Sequence, residues 1–252
     1  MNALPQVSLD GPLIRAAAAL QAYGRNLSVA ARWMHPSWIT ALLSIDEMQY
    51  GWWTRALGQA SEPAVEGVSR ALCRSAGFAA PSVEMLSQPA IRLRPEGPMP
   101  NVALLDACPA DVGLQILSMR ALLFRRAEVR RLIDKPTRSQ LSEWGGVSID
   151  VLSRDAHLVD APDVARLHVR SGMPPLATLD AAALLAEGLA LLERDAGGTT
   201  GPLFHMLRFA LPRELNTPAW LARISPELDA LGTARLFARL PELLPEWAWL
   251  FG

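Results

Sequence analysis

The stretch Gly197-Gly198-Thr199-Thr200-Gly201 is the part of this chain that comes nearest to a phosphate cradle, a glycine-rich loop ahead of a helix. Such a loop needs a lysine directly after its last glycine to reach the β- and γ-phosphates. Pro202 stands there instead, and the chain's single lysine is Lys135. The stretch therefore reads as a helix end and a turn leading into a proline-initiated helix. Metal chemistry needs His, Cys, Asp or Glu at helical or tight-loop spacings. His35, His157, His168 and His205 stand singly, and Cys73 and Cys108 form no Cys-x-x-Cys pair. No Gly-x-Ser-x-Gly elbow offers a serine nucleophile, and neither cysteine opens a helix in an electropositive setting. The carboxylates Asp46 and Glu47, and Glu193 and Asp195, lie on helical segments among other charges, as solvated faces do. Residue chemistry thus assigns no catalytic group, no metal site and no cofactor.

Two constellations suit contact with another protein. From Arg120 onward an apolar helix turns cationic: Arg125, Arg126, Arg130, Arg131 and Lys135, with Arg138 beyond, face only Glu128 and Asp134. With Asp111 included, Ala107–Ser139 is locally about +4 in a chain of net charge −1. Planar guanidinium forks pair bidentately with carboxylates, so this end of the helix is expected to meet an acidic protein face, some of its arginines serving internal pairs. The second constellation is aromatic. Of eight tryptophans, Trp33, Trp38, Trp52 and Trp53 crowd one N-terminal region, and Trp247 and Trp249 lie near the other end. Neighbours on a helix point about 100° apart, so Trp52 and Trp53 cannot both face inward, and one is expected to meet another lobe or another protein.

Helices must position these residues. Val112, Leu114, Ile116, Leu117, Met119, Leu122, Leu123 and Phe124 leave no polar stripe, which predicts a helix over Val112–Ile133 whose front half is buried on most sides. Asp10-Gly11-Pro12 opens a helix through about Tyr23. Pro36 opens another, with apolar residues spaced as far as Leu57, and Ser61-Glu62-Pro63 a third. Further helices are expected over Pro136–Trp144, closed by Gly145-Gly146, over Asp180–Arg194, and from Pro202 through Leu211. Val147–Val169 alternates short apolar runs with Asp150, Asp155, Asp160 and Asp163, which suits short helices mixed with a strand-like piece. Over Pro226–Phe251 an apolar stripe must be kinked or split by Pro241 and Pro245. Between Gly77 and Pro100 five prolines forbid a long helix, and Ala90–Arg94 suits a short extended piece. The expectation is an all-α protein: compact, an irregular orthogonal arrangement of many helices, with at most a minor β element. It forms one helical unit over 1–252, divisible into an N-terminal lobe 1–88, a proline-rich connector 89–100 and a C-terminal lobe 101–252.

At 252 residues the chain buries a core without needing a metal or disulfide. No apolar run approaches the roughly 18 to 20 residues of a bilayer span. The Ala-rich N-terminal stretch lacks a basic leader and is broken by Arg15, which argues against a secretory signal. Two distant cysteines fit reduced core thiols in a cytoplasmic protein. Near-neutral charge gives a nucleic-acid partner no support.

The pattern Leu104-Leu105-Asp106-x-x-Pro109, then Leu117, then Arg120 through Arg131 with Ile133-Asp134, and finally Leu141-x-x-Trp144-Gly145, resembles the K subunit of the type III secretion sorting platform, in particular its Hrp-type members. The likeness is strongest over Leu104–Gly146 and rests on packing motifs. It implies a non-enzymatic cytoplasmic adaptor, held at the inner membrane by protein contacts without inserting. Such an adaptor connects the cytoplasmic domain of the inner-membrane ring protein to the platform's pod protein. The family supplies no interaction site that maps onto residues here, so Arg125, Arg126, Arg130, Arg131, Lys135, Trp52 and Trp53 come from the residue reading alone. That reading leaves open a small-molecule enzyme of unrecognised type, and a chaperone or regulator that binds an amphipathic segment.

Overall fold

Proline at the first or second helical position opens four helices of the computed structural model, which describes residues 11–95, 97–154, 161–196 and 206–252. The first is α1 (Pro12–Ser28), a turn longer than expected, which buries Ala16, Ala19, Ala22 and Tyr23. A single turn, α2 (Ala30–Trp33), leads to α3 (Pro36–Leu43). The helix expected to run from Pro36 to Leu57 is in fact two. Ser44 takes a left-handed conformation at φ 54°, and Asp46 restarts the chain as α4 (Glu47–Gln59) with a reciprocal cap. The Gln49 amide donates to Asp46 Oδ1 at 2.8 Å, and the Asp46 amide donates to Gln49 Oε1 at 2.9 Å. Next come α5 (Glu62–Ser75) and the short α6 (Val83–Ser87). Ala30, Ala31, Met34, Ile39, Leu72 and Cys73 form a core of their own, closed by Phe209.

The proline-rich stretch contains the fold's minor β element. Strand β1 (Ile91–Arg94) pairs antiparallel with β2 (Gly97–Pro100), from Ile91 opposite Pro100 to Arg94 opposite Gly97. A 3-10 turn at Val102–Asp106, buried throughout, feeds the central helix α7 (Ala110–Phe124). Eleven of the fifteen residues of α7 are buried, as all-round apolarity requires.

This helix does not continue to Ile133. It ends at Phe124; Arg125 stands between it and one further turn, α8 (Arg126–Val129). The Arg126 side chain turns back to donate to the Leu123 carbonyl at 2.9 Å, capping the end of α7. After α9 (Lys135–Gly145), ended by Gly146 at φ 67°, come α10 (Ile149–Arg154), α11 (Val164–Ser171) and α12 (Ala181–Asp195). Then α13 (Gly232–Leu243) carries Pro241 in its last turn, and a 3-10 turn at Pro245–Trp247 passes into α14 (Ala248–Phe251). The expected split falls at Leu244, ahead of Pro245, whereas Pro241 is accommodated within α13. Of the helix expected from Pro202 through Leu211, the described part is a 3-10 turn at Leu207–Ala210. Gly197–Gly201, Pro202, His157 and His205 lie outside the described residues.

The main core gathers α1, α6, α7, α9, α10, α12, α13 and α14 around Ile116, Leu117, Leu122, Leu192, Leu236 and Leu240. Its closest approach is the crossing of α12 over α7. A Cβ built on Gly188 would stand 1.9 Å from the Leu117 carbonyl oxygen, so the two backbones touch where no side chain fits. Gly51, in the middle of α4, meets nothing within 4 Å of such a Cβ. The two glycines therefore respond oppositely to alanine. Gly188→Ala is expected to cost about 1–3 kcal/mol or more by forcing the helices apart, whereas Gly51→Ala is expected to add roughly 0.5–1 kcal/mol. Urea unfolding of both variants checks the sign of each.

Candidate functional site

The arginine cluster is divided between inside and outside. Arg120, unassigned by the sequence reading, lies fully buried on α7. Its Nη2 donates to Asp195 Oδ2 at 2.7 Å, its Nη1 to Asp229 Oδ2 at 3.0 Å and its Nε to Thr233 Oγ1 at 2.8 Å. The Thr233 amide and hydroxyl both donate to Asp195 as well. Arg125, also fully buried, forks onto Glu187 of α12 at 2.7 and 2.8 Å and reaches the Pro174 carbonyl and Glu128. Arg126, buried too, pairs with Asp229 Oδ1 at 3.1 Å. Asp229 thus bridges two guanidinium groups, and it holds a left-handed φ of 57°. With Arg194 on Asp195, four cations face four anions, Glu128, Glu187, Asp195 and Asp229.

Arg125 and Arg126 therefore cannot offer charge to a partner, contrary to the expectation that they face outward. Their carboxylates come from α12 and from the loop before α13, which a local charge count does not see. Arg130 is half-buried, its side chain donating to the Ser153 carbonyl. Arg138, with Asp150, ties α9 to α10. Arg131 and Lys135 are exposed and have no side-chain partner among the described residues.

The tryptophans also divide. Trp53 is half-buried, stacked with Tyr50 at 6.1 Å against the core of Ala31, Met34 and Ile39. Trp52 is 59 % exposed. No residue of α4 is fully buried, and Met48, one turn before Trp52, is also exposed. Between α4 and α2 runs a groove of about 210 Å³ lined by Ala31, Met34, Tyr50, Trp53 and Leu57. Met48 at four residues before Trp52 was legible as the second member of an apolar face.

Several other ionisable groups serve packing and capping. Asp106 ends the buried 3-10 turn; its Oδ1 accepts the Leu207 amide at 3.2 Å, while Asn26 of α1 donates to the carbonyls of Asp106 and Cys108. Burial pushes the Asp106 carboxyl up to about 7 against the pull of the Leu207 and Met206 amides. Cys73 and Cys108 are buried free thiols, and burial pushes Cys73 up to about 11, away from nucleophilic chemistry. A depression of about 180 Å³ holds Glu193 and Arg208. Arg208 lies over the Trp38 ring and spends its donors on the carbonyls of Pro212 and Arg213. His35 accepts the Ser37 amide and so caps α3, and the His168 imidazole meets the Met173 carbonyl. Among the described residues no three of His, Cys, Asp and Glu gather as metal ligands, and no helix is long and apolar enough to cross a membrane.

Compared with known proteins, residues 11–246 match a family model described as bacterial type III secretion protein (HrpB4). No solved structure matches the chain.

Two predictions follow the division of the arginines and the burial of Asp106. Arg126→Glu sets a third carboxylate beside Asp229 and is expected to cost upwards of about 3 kcal/mol, while Arg131→Glu is expected to stay within about 0.5 kcal/mol of wild type. Denaturant midpoints read the contrast, and equal midpoints would contradict the internal pairing. The folded Asp106 value of about 7 lies above its ordinary 3.8, so the native state holds this proton more tightly. Its contribution to stability is full below the ordinary value and is lost as pH rises through about 7. Wild type is thus expected to lose more stability between pH 5 and pH 7.5 than Asp106→Asn. Urea unfolding at both pH values measures that difference.

Proposed function

Because the chain belongs to the HrpB4 family of bacterial type III secretion proteins, we propose that it is a non-enzymatic adaptor of the secretion system's cytoplasmic sorting platform. In this reading it links the cytoplasmic domain of the inner-membrane ring protein to the platform's pod protein and stays at the inner membrane through those contacts. The observation that carries the reading is where the chain places its two kinds of side chain. Arg120, Arg125 and Arg126 are closed into ion pairs with Asp195, Asp229 and Glu187 that hold helices together, while Trp52 and Met48 of α4 stand in solvent. An enzyme gathers perturbed ionisable groups in an open cleft, and an adaptor leaves large side chains outside. Exposed tryptophan is the residue type that dominates protein interfaces, and Trp52 with Met48 forms the surface proposed for one partner. Arg131 and Lys135 are the members of the basic cluster left for another.

Affinity capture of the tagged protein from the native bacterium is expected to recover ring and platform subunits. Trp52→Glu is expected to lose one of them with a melting temperature near wild type, because Trp52 has little packing to forfeit. Trp53→Ala is expected to lower the melting temperature, since it opens the Tyr50 stack. Consistent absence of secretion subunits from the capture, together with a bound metabolite, would overturn the adaptor reading in favour of an enzyme.

A further inference from the structure

Helix α11 packs Val164, Leu167 and Ser171 inward, against Phe124 and Ala127, and turns a different face to solvent. On that outer face Arg166 and Arg170 stand four residues apart, with Val169 between them at 86 % exposure. Neither arginine has a side-chain partner among the described residues.

Cations continue on both flanks. On one, Arg223 donates to the Ser171 carbonyl at 3.2 Å, which brings its exposed guanidinium group to the end of α11. On the other, His168 approaches Glu128 of α8 at 3.9 Å, and the exposed Arg131 lies in the turn that follows α8. Glu128 is turned away from this face by its own hydrogen bonds. One of its oxygens is bound by Arg125 and the other by the Leu176 amide. Asp163 sits at the opposite end of α11, where it accepts the Arg166 amide as the helix cap.

The geometry points to this band, Arg166 and Arg170 beside Val169 with Arg223 at the end of the helix, as the docking site for an acidic segment of a partner protein. It builds on the adaptor reading for one step, that the ligand is a protein. Its occupant follows from charge complementarity. Guanidinium forks accept carboxylates two hydrogen bonds at a time, and a spacing of one helical turn matches carboxylates on successive turns of a second helix, with Val169 against an aliphatic side chain. An anionic lipid surface is less well matched, because the face carries no tryptophan, phenylalanine or leucine to enter the acyl boundary.

A photo-crosslinking amino acid at Val169 of the full-length protein in the native bacterium tests the assignment, with mass spectrometry of the joined peptide. The expected product is a peptide rich in Asp and Glu. Its yield is expected to fall tenfold or more in Arg166→Glu with Arg170→Glu and to return when the acidic residues of that peptide are changed to lysine. Arg166→Gln with Arg170→Gln gives an intermediate loss without adding negative charge, and a wild-type melting temperature shows that either pair folds. The assignment is overturned if Val169 yields no adduct while the same probe at Trp52 does, or if the joined peptide is not acidic. It is equally overturned if charge reversal leaves the yield unchanged, or if the adduct is lipid and phosphatidylglycerol vesicles sediment the protein. An acidic peptide from a protein outside the secretion apparatus would sustain the band as an acidic-segment site and overturn the adaptor reading alone.

Discussion

Arg120 cannot leave water without its partners. An isolated guanidinium group in a protein interior costs several kcal/mol even after relaxation, and that cost is offset only when charge and every donor are matched. Asp195, Asp229 and Thr233 supply the match from three separate places: the end of α12, the loop before α13 and the start of α13 itself. The position of α13 against α7 is therefore a condition for the central helix to be buried at all. Gly232 shows how tight the condition is, since a Cβ there would lie 2.4 Å from the Arg120 guanidinium.

Packing and charge specify the same arrangement from two directions. Gly188 brings α12 onto α7 at backbone distance, and Glu187, its neighbour, meets Arg125 only when the helices cross there. A slide of one residue along the crossing would separate the ion pair and drive a side chain into the Leu117 carbonyl. Apolar contact alone tolerates repacking, whereas this combination admits one register. Asp229 reflects the same demand, its left-handed backbone held by two arginines on its carboxylate and by Arg120 on its carbonyl.

Much of this was legible in the residues, and what was not has a physical reason. The all-round apolarity of Val112–Phe124 gave the central helix, proline at helix starts gave several boundaries, and the prolines after Gly77 left room for β1 and β2. Asp46-x-x-Gln49 carried the cap that separates α3 from α4, though the apolar spacing running through it concealed the break. The fate of Arg125 and Arg126 was not legible, because it depends on Glu187 and Asp229, 62 and 103 residues further on. Trp52 and Trp53 were separable only to the extent that neighbours on a helix diverge; which of them faces out is decided by the position of α2. The outer face of α11 is not legible as a patch in the sequence, because Arg166 and Arg170 look like any solvated helix face and Arg223 joins them only through the fold.

The separation between Arg120 and its carboxylates also has a consequence in time. Asp195 follows it by 75 residues and Asp229 by 109. A ribosome adding roughly 5–20 residues per second emits α7 several seconds before the last counter-ion exists. During that interval the central helix carries Arg120 with none of the carboxylates that accept its donors in the finished structure. The native ion pairs of Arg120 can therefore close only once the loop at Asp229 has been made, so the lock on the central helix is among the last parts of the chain to be supplied.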